Sequence, residues 1–195
     1  MNTLLVICHP IHDSFTRACA DRATAALRAA GHAVDVIDLY GEGFLPELTE
    51  HEREVHHEGL DAKPSIAGHA AKLQWANKLV LVYPTWWGAQ PAMLKGWFDR
   101  VWTTGVAYEL PEGKSQIRGL LRNITSITAI TSHGASKFVN VLEGEPGKRM
   151  LSRQIRPLCS WRCRFRWVPM YGVDGASDAD RHAFFTRIDT AMKRR

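Results

Sequence analysis

Residues 77 to 106 constrain the chain most, because they read as a strand, an aromatic turn and a helix in one continuous run. Leu79, Val80, Leu81, Val82 and Tyr83 are apolar without polar alternation, as expected of a strand covered on both faces in a parallel sheet. Pro84 ends it. Thr85, Trp86, Trp87, Gly88, Ala89 and Gln90 form the turn, and Pro91 fits the first helical turn, where its missing N–H costs nothing. Met93, Leu94, Trp97, Phe98, Val101 and Trp102 recur at helical spacing as a broad apolar band, with Ala92, Gly96 and Arg100 on another face. Two adjacent tryptophans in a loop expose aromatic surface that something must cover. They are either core or subunit-interface residues, or walls for a flat ring system.

The rest of the chain falls in around this run. Residues 3–8 (TLLVIC) read as a buried strand, and a loop over 9–13 leads to Ser14, an N-cap residue for a helix containing Ala18, Ala26 and Leu27 that Gly31 stops. Residues 33–39 alternate as a second strand nearer a sheet edge. Strand, helix, strand is a βαβ unit, which implies a doubly wound α/β class. Residues 41–64 form a polar excursion rich in His and Glu with a short helix over 50–57, and 66–75 supply the helix before the central strand. Residues 108–121 are loop-like, 124–131 a fourth strand, and 132–147 a glycine-containing region at its carboxyl end. A helix over 148–156 is stopped by Pro157, 162–170 give a fifth strand, and 177–194 a closing helix capped by Ser177. Without repeats or linkers, the expectation is a single domain over 1–195: a five-stranded parallel sheet in the order 2-1-3-4-5 with helices on both faces.

Composition narrows the function. A chain of 195 residues, 45% hydrophobic and 23% charged, suits one soluble domain. The apolar start is too short to span a bilayer and no basic region precedes it, so a cytoplasmic protein without membrane insertion is expected. Four cysteines are too few for a disulfide scaffold, and Cys159 and Cys163 are spaced CxxxC rather than CxxC, so reduced, mostly buried thiols are expected. The net charge of +5 favours anionic ligands. Arg162, Arg164 and Arg166 alternate with Cys163, Phe165 and Trp167 as one cationic strand face, but no zinc-finger, helix-turn-helix or RNA-binding signature accompanies them, which argues against nucleic acid. In the run HEREVHH, Val55 stands where HExxH needs its second histidine, so no metal site is expected and a solvated helix is the simpler reading.

Topology then points to a site. In an open parallel sheet, ligands bind outside the carboxyl ends of the strands where strand order reverses, here between the first and third strands. The loops there are 9–14 and 85–90. The first ends at a helix N-terminus, which suits a phosphate, yet it holds no glycine. That argues against a GxGxxG dinucleotide loop or a P-loop and leaves phosphate binding by the hydroxyls of Ser14 and Thr16, with Phe15 between them.

His9-Pro10 followed by Asp13-Ser14-Phe15-Thr16, then Tyr83-Pro84-Thr85-Trp86-Trp87, then PAMLKGWFDRV from Pro91 to Val101, resemble the NAD(P)H dehydrogenase (quinone) family of flavodoxin-like flavoproteins. Its relatives include quinone reductases and the small oxidoreductase subunits of potassium-efflux systems. The resemblance runs through about Ser132. It implies that His9, Ser14, Phe15 and Thr16 hold a flavin phosphate, that Pro84, Thr85, Trp86 and Trp87 run along the isoalloxazine ring, and that Thr131, Ser132, His133 and Gly134 match a Thr-Thr-Gly-Gly turn at its pyrimidine side. Trp87 and Gly88 would border the acceptor. Where the family's quinone reductases carry a Tyr and a His proposed to handle protons, residues 138–145 have neither, and His133, which replaces a glycine, is the remaining candidate for proton handling near pH 7.

The implied activity is that of an NAD(P)H:acceptor oxidoreductase. Hydride passes from NAD(P)H through bound FAD or FMN to a quinone or similar small acceptor in a two-electron ping-pong cycle, donor and acceptor using one face of the flavin in turn. The resemblance also implies a homodimer to which the helix from Pro91 contributes. The alternative is a regulatory or electron-carrier flavodoxin-like subunit with little quinone turnover, against which stand the basic charge and the long helix segment.

Overall fold

The computed structural model describes residues 1–113 and 115–193, so Arg194 of the expected closing helix lies outside the described residues. Five parallel strands form one sheet: β1 (Asn2–Ile7), β2 (Ala33–Asp38), β3 (Lys78–Pro84), β6 (Ser126–His133) and β7 (Arg164–Tyr171). Their order is β2-β1-β3-β6-β7, the 2-1-3-4-5 order expected. The register is continuous, with Leu5 opposite both Val36 and Val80, and Val80 opposite Thr128.

The uninterrupted apolar run of β3 follows from its central place: every one of its residues is buried. Leu79, Leu81 and Tyr83 face one layer, formed by α3 (Ala67–Trp75) and α4 (Ala92–Val101), where Trp97, Phe98 and Leu94 fill the core. Val80 and Val82 face the other, formed by α1 (Phe15–Ala29) and α7 (Asp178–Lys193), with Leu27, Phe184 and Ile188. Side chains that alternate across a strand thus meet apolar partners on both sides.

The excursion between β2 and α3 closes over α4. Its one α-helix, α2 (Glu50–Glu54), is shorter than expected and starts at a capping box between Thr49 and Glu52. A β-carbon on Gly96 would sit 2.2 Å from the Pro46 carbonyl oxygen, so only glycine admits this approach. One turn on, the Arg100 guanidinium donates to the Glu52 carboxylate at 2.5 and 2.9 Å, to Ser65 Oγ at 3.2 Å and to the Leu45 carbonyl. Both faces of α4 are therefore occupied within the chain, the apolar band by the core and the Gly96/Arg100 face by the excursion. Two of the HEREVHH residues are spent in the same way, so the helix is not wholly solvated as expected: Glu52 is buried against Arg100, and His56 Nε2 lies 2.9 Å from the Tyr108 hydroxyl.

Three expectations are corrected. Residues 108–121 hold a short antiparallel pair, β4 (Tyr108–Glu109) with β5 (Arg118–Gly119), too brief to show a period. The region after β6 contains a helix, α5 (Lys137–Leu142), capped by Ser136. The expected helix over 148–156 is α6 (Pro146–Arg149) continued by a π-helical stretch, Met150–Ile155, and a 3₁₀ turn, Arg156–Leu158. All four cysteines are buried free thiols. Among the described residues no helix is long and apolar enough to cross a membrane.

Candidate functional site

A cleft of about 580 Å³ opens at the carboxyl ends of β1, β3 and β6. His9, Phe15 and Thr16 wall one side, Pro84, Thr85 and Trp86 the floor and second side, and Ser132 and Gly134 the third. These come from the loops that the strand order singles out. The cleft also has a wall that sequence reasoning missed: Val173, Asp174 and Arg181 reach it from the segment after β7 and from α7. No local signal marks them. They arrive because α7 packs along α1, where Phe15 meets Phe184 and Phe185 with ring centroids 5.9 and 5.7 Å apart.

At the first wall, Ser14 is the N-cap of α1, and its Oγ accepts the Arg17 N–H at 3.2 Å. Its hydroxyl serves the helix, and Ser14 is not among the residues that wall the cleft. Thr16 is, and it is 6% exposed. The Phe15 and Thr16 N–H groups belong to the first helical turn and have no intrahelical acceptor, so this wall ends in donors with a positive helix pole behind them. The Arg181 guanidinium, 5.5 Å from the Phe15 ring centroid, adds a cation. Arg17 is occupied with Asp38. His9 Nδ1 accepts the Ile11 N–H at 3.1 Å, which holds the His9 ring 6.5 Å from that of Trp86 and joins the two loops.

The second loop is a tight reversal. Trp86 and Ala89 exchange two backbone hydrogen bonds of 3.1 Å, with Trp87 at φ 51° and Gly88 at φ 73°. Left-handed backbone suits Gly88 and is costly for a tryptophan. Trp87 is fully exposed, which overturns core packing for it, whereas Trp86 is 43% exposed and walls the cleft. Trp87 and Gly88 stand in the turn beside the cleft and are not among its walls. Behind the turn, the Gly147 N–H donates to the Gly88 carbonyl at 3.2 Å, and the buried Gln90 amide donates to the Gly147 carbonyl at 2.9 Å and to the Tyr83 hydroxyl at 3.2 Å. Gln90 is a further residue that sequence reasoning did not single out.

On the floor, Thr85 Oγ1 lies 2.8 Å from Thr131 Oγ1, and the Thr85 N–H donates to the Ser132 carbonyl at 2.7 Å. Thr131 thus supports the floor through Thr85. His133 departs from expectation. Strand β6 continues through it, pairing it with Tyr171, so alternation sends Ser132 to the cleft and His133 behind it. Its ring is 5% exposed and stacks on Tyr171 at 4.8 Å, with Trp167 edge-on at 5.9 Å. Burial lowers its pKa from the ordinary histidine value, against opposing effects of Asn140 and Glu145. It is a buried strand residue, not a loop group lining the cleft.

The cleft fits an elongated anionic ligand with a flat ring: N–H donors and a cation at one end, hydroxyls on the floor, and an indole wall at the other. Gly134 faces the Asp174 carboxylate across the third wall, where a β-carbon would come within 2.9 Å of it.

A family model described as flavodoxin-like fold matches residues 1–193. The uncharacterized NAD(P)H oxidoreductase YcaK of Escherichia coli (strain K12) is 40% identical over 106 residues, 53% of this chain and 54% of that protein. The chain spans between half and two thirds of the length of the first curated relatives it matches. Among solved structures, Smu.1420 from Streptococcus mutans UA159 superposes with a TM-score of 0.86 at 25% identity, covering 99% of both chains. The NAD(P)H:quinone oxidoreductase from Methanothermobacter marburgensis superposes with a TM-score of 0.82 at 26% identity, covering 99% of this chain and 98% of that one.

Proposed function

The chain belongs to the flavodoxin-like fold family, and from that premise we propose that it is a flavin-dependent NAD(P)H oxidoreductase that reduces a quinone or similar small acceptor. The observation that carries this reading is the composition of the cleft: the N-terminal turn of α1 at Thr16, the paired hydroxyls of Thr85 and Thr131 beneath it, and the Trp86 indole at its other side. The donor and acceptor classes are those in the names of the E. coli and Methanothermobacter relatives.

When bound, FAD or FMN supplies the two-electron chemistry, taking hydride from NAD(P)H and passing it to the acceptor in a ping-pong cycle. The residues do the rest. The Phe15 and Thr16 N–H groups, the Thr16 hydroxyl and Arg181 bind phosphate; His9 and Trp86 hold the two loops at a fixed separation; Thr85, oriented by Thr131, presents a hydroxyl to the ring edge. Trp87 stands free in this single chain, and an exposed indole on a strained turn is suited to closing over a bound acceptor or meeting a second subunit. A homodimer and a cytoplasmic location belong to the same reading.

Absorption spectroscopy and mass analysis of the cofactor released from native protein test the flavin. Steady oxidation of NADH or NADPH with a soluble quinone tests the activity. Bound flavin without turnover would identify an electron carrier or regulatory subunit, and protein that neither retains nor takes up FAD or FMN would remove the proposal.

A further inference from the structure

At the pole of the sheet opposite the cleft, the segment that enters β7 makes a tight turn. The Cys163 N–H donates to the Ser160 carbonyl at 2.8 Å, which puts Trp161 and Arg162 at the two central positions. The turn is held on both sides. The Ser160 N–H donates to the Ile124 carbonyl at 3.1 Å and the Arg164 N–H to the Thr125 carbonyl at 3.0 Å, while the flanking Cys159 and Cys163 are buried. What the turn displays is an indole that is 82% exposed, with the Arg162 guanidinium 4.3 Å from its ring centroid. An anchored turn that leaves a tryptophan in water calls for a partner.

The surroundings are cationic. Arg122 and Arg156 are exposed beside the turn: Arg122 Nη1 donates to the Cys159 carbonyl at 2.6 Å, and the Arg156 carbonyl accepts the Cys159 N–H at 3.0 Å. A carbonyl or an indole leaves an arginine's charge uncompensated, and among the described residues no carboxylate lies within ion-pair distance of Arg122, Arg156 or Arg162. The β4–β5 hairpin packs alongside, so closely that a β-carbon on Gly119 would sit 2.5 Å from Leu158 Cα, and it carries the exposed side chains of Leu110 and Ile117. Its acids are Glu109, paired with Arg118, and Glu112. Positive charge is therefore in excess, and apolar side chains are interleaved with it.

We propose that this pole docks on the surface of an anionic phospholipid bilayer, with Trp161 and Ile117 entering the headgroup layer and Arg122, Arg156 and Arg162 meeting lipid phosphates. An indole at headgroup level keeps its ring in apolar matter and its N–H in the wet layer. A guanidinium fork matches a phosphate, and a negative leaflet attracts each cation near it. The aliphatic side chains of Leu110 and Ile117 favour lipid over a nucleic-acid strand, whose bases need open ring faces, and Arg162 already covers one face of the indole. Strand β7 is eight residues long, so the pole lies about 25 Å from the cleft end, and a docked molecule keeps its cleft open to water. The association is with the surface, needs no spanning helix, and stands apart from the flavin reading.

The test is co-sedimentation of the full-length protein with vesicles of phosphatidylcholine alone and of phosphatidylcholine mixed with phosphatidylglycerol. Binding is expected only to the mixed vesicles at low ionic strength, with release at about 0.5 M salt as screening shortens the reach of the arginines. Arg156→Ser and Arg162→Ser should each weaken it about fivefold. Trp161→Ala should weaken it too and abolish the blue shift of tryptophan emission that the mixed vesicles produce in the wild type. These side chains are exposed, so melting curves should not move. Lys137→Ser, which removes an exposed cation after β6 at the cleft end, should bind like the wild type. Absence of binding to the mixed vesicles would overturn the proposal. So would equal weakening by Lys137→Ser, which would leave only net charge, unaltered binding in the Trp161 and arginine variants, or capture of single-stranded DNA in place of vesicles.

Discussion

Thr85 Oγ1 lies 3.4 Å from His133 Nε2, so a hydroxyl on the floor of the cleft is tied to a histidine buried behind the sheet. Within the proposed function, His133 acts on a ligand through Thr85, by accepting from its hydroxyl, and touches no ligand itself. The groups around the ring are Tyr171 and Trp167 from β7, Asn140 from α5, and Glu145 before α6. Its Nδ1 has no hydrogen-bond partner among the described residues, which fits an uncharged ring.

His133 is therefore expected to titrate below the ordinary value of 6.5 by NMR, its imidazole being desolvated. The folded value is depressed, so as pH falls through about 6.5 the unfolded chain binds a proton that the folded chain refuses. Stability drops over that window until the folded value is passed. His32 and His56 are lowered by burial too and act in the same direction, so the comparison is between wild type and His133→Gln, whose loss on acidification should be smaller. Glutamine keeps an acceptor for Thr85, and flavin affinity should stay within about threefold. An unshifted histidine titration would mean that water reaches the ring.

Trp87→Ala should leave the melting temperature nearly unchanged, because the side chain is fully exposed and no core cavity of roughly 3 to 5 kcal/mol is created. Trp87→Gly also relieves the left-handed strain at φ 51°, a gain of about 1 kcal/mol partly offset by the freedom of glycine in the unfolded chain. Both should raise the Michaelis constant for quinone. Unaltered kinetics in both would remove Trp87 from the acceptor pocket and leave it to an interface.

Ser14 and Thr16 should separate. Ser14 caps α1, so Ser14→Ala is expected to cost about 1 kcal/mol of stability, read by urea unfolding, with little change in flavin affinity. Thr16→Ala should weaken flavin binding by about fivefold at nearly constant stability, the loss of one hydroxyl contact. Equal behaviour of the two variants would contradict the split that the cap geometry implies.

What could be read from sequence divides along contact range. The βαβ units and the two loops of the cleft follow from hydrophobic period and turn residues, which are local, whereas the strand order is taken from the flavodoxin-like class. His133 is expected in a loop, yet β6 runs two residues beyond 131 and takes it in as a buried strand residue, and strand ends carry little sequence signal. Helix α5 was missed inside a glycine-containing stretch, since six residues give barely more than a turn of periodicity. Arg181 and Asp174 join the cleft only through the packing of α7 on α1, and nothing within their own segment marks that return.

The Arg100–Glu52 pair is also hidden from sequence, since the Arg100 face of α4 shows a lone cation and α2 shows charges on every side. Both side chains are nearly buried, at 6% and 8% exposure. Burial opposes the Glu52 charge, yet Arg100, the Thr49 N–H and Ser65 outweigh it and hold the carboxyl at about 2. A depressed folded value gives stability that is present above the unfolded value of 4.5 and is lost as pH falls through it toward 2. Arg100→Met leaves the carboxylate buried without its partner and should cost about 3 to 5 kcal/mol at pH 7. Adding Glu52→Gln to that variant removes the stranded charge and should recover part of the loss, and the acid-dependent decline between pH 5 and 2 should flatten. Urea unfolding of the wild type, Arg100→Met, Glu52→Gln and the double variant across that range reads both effects. Additive losses in the double variant, with an unchanged acid profile, would show that the excursion is held over α4 by Pro46 and Phe44 packing instead.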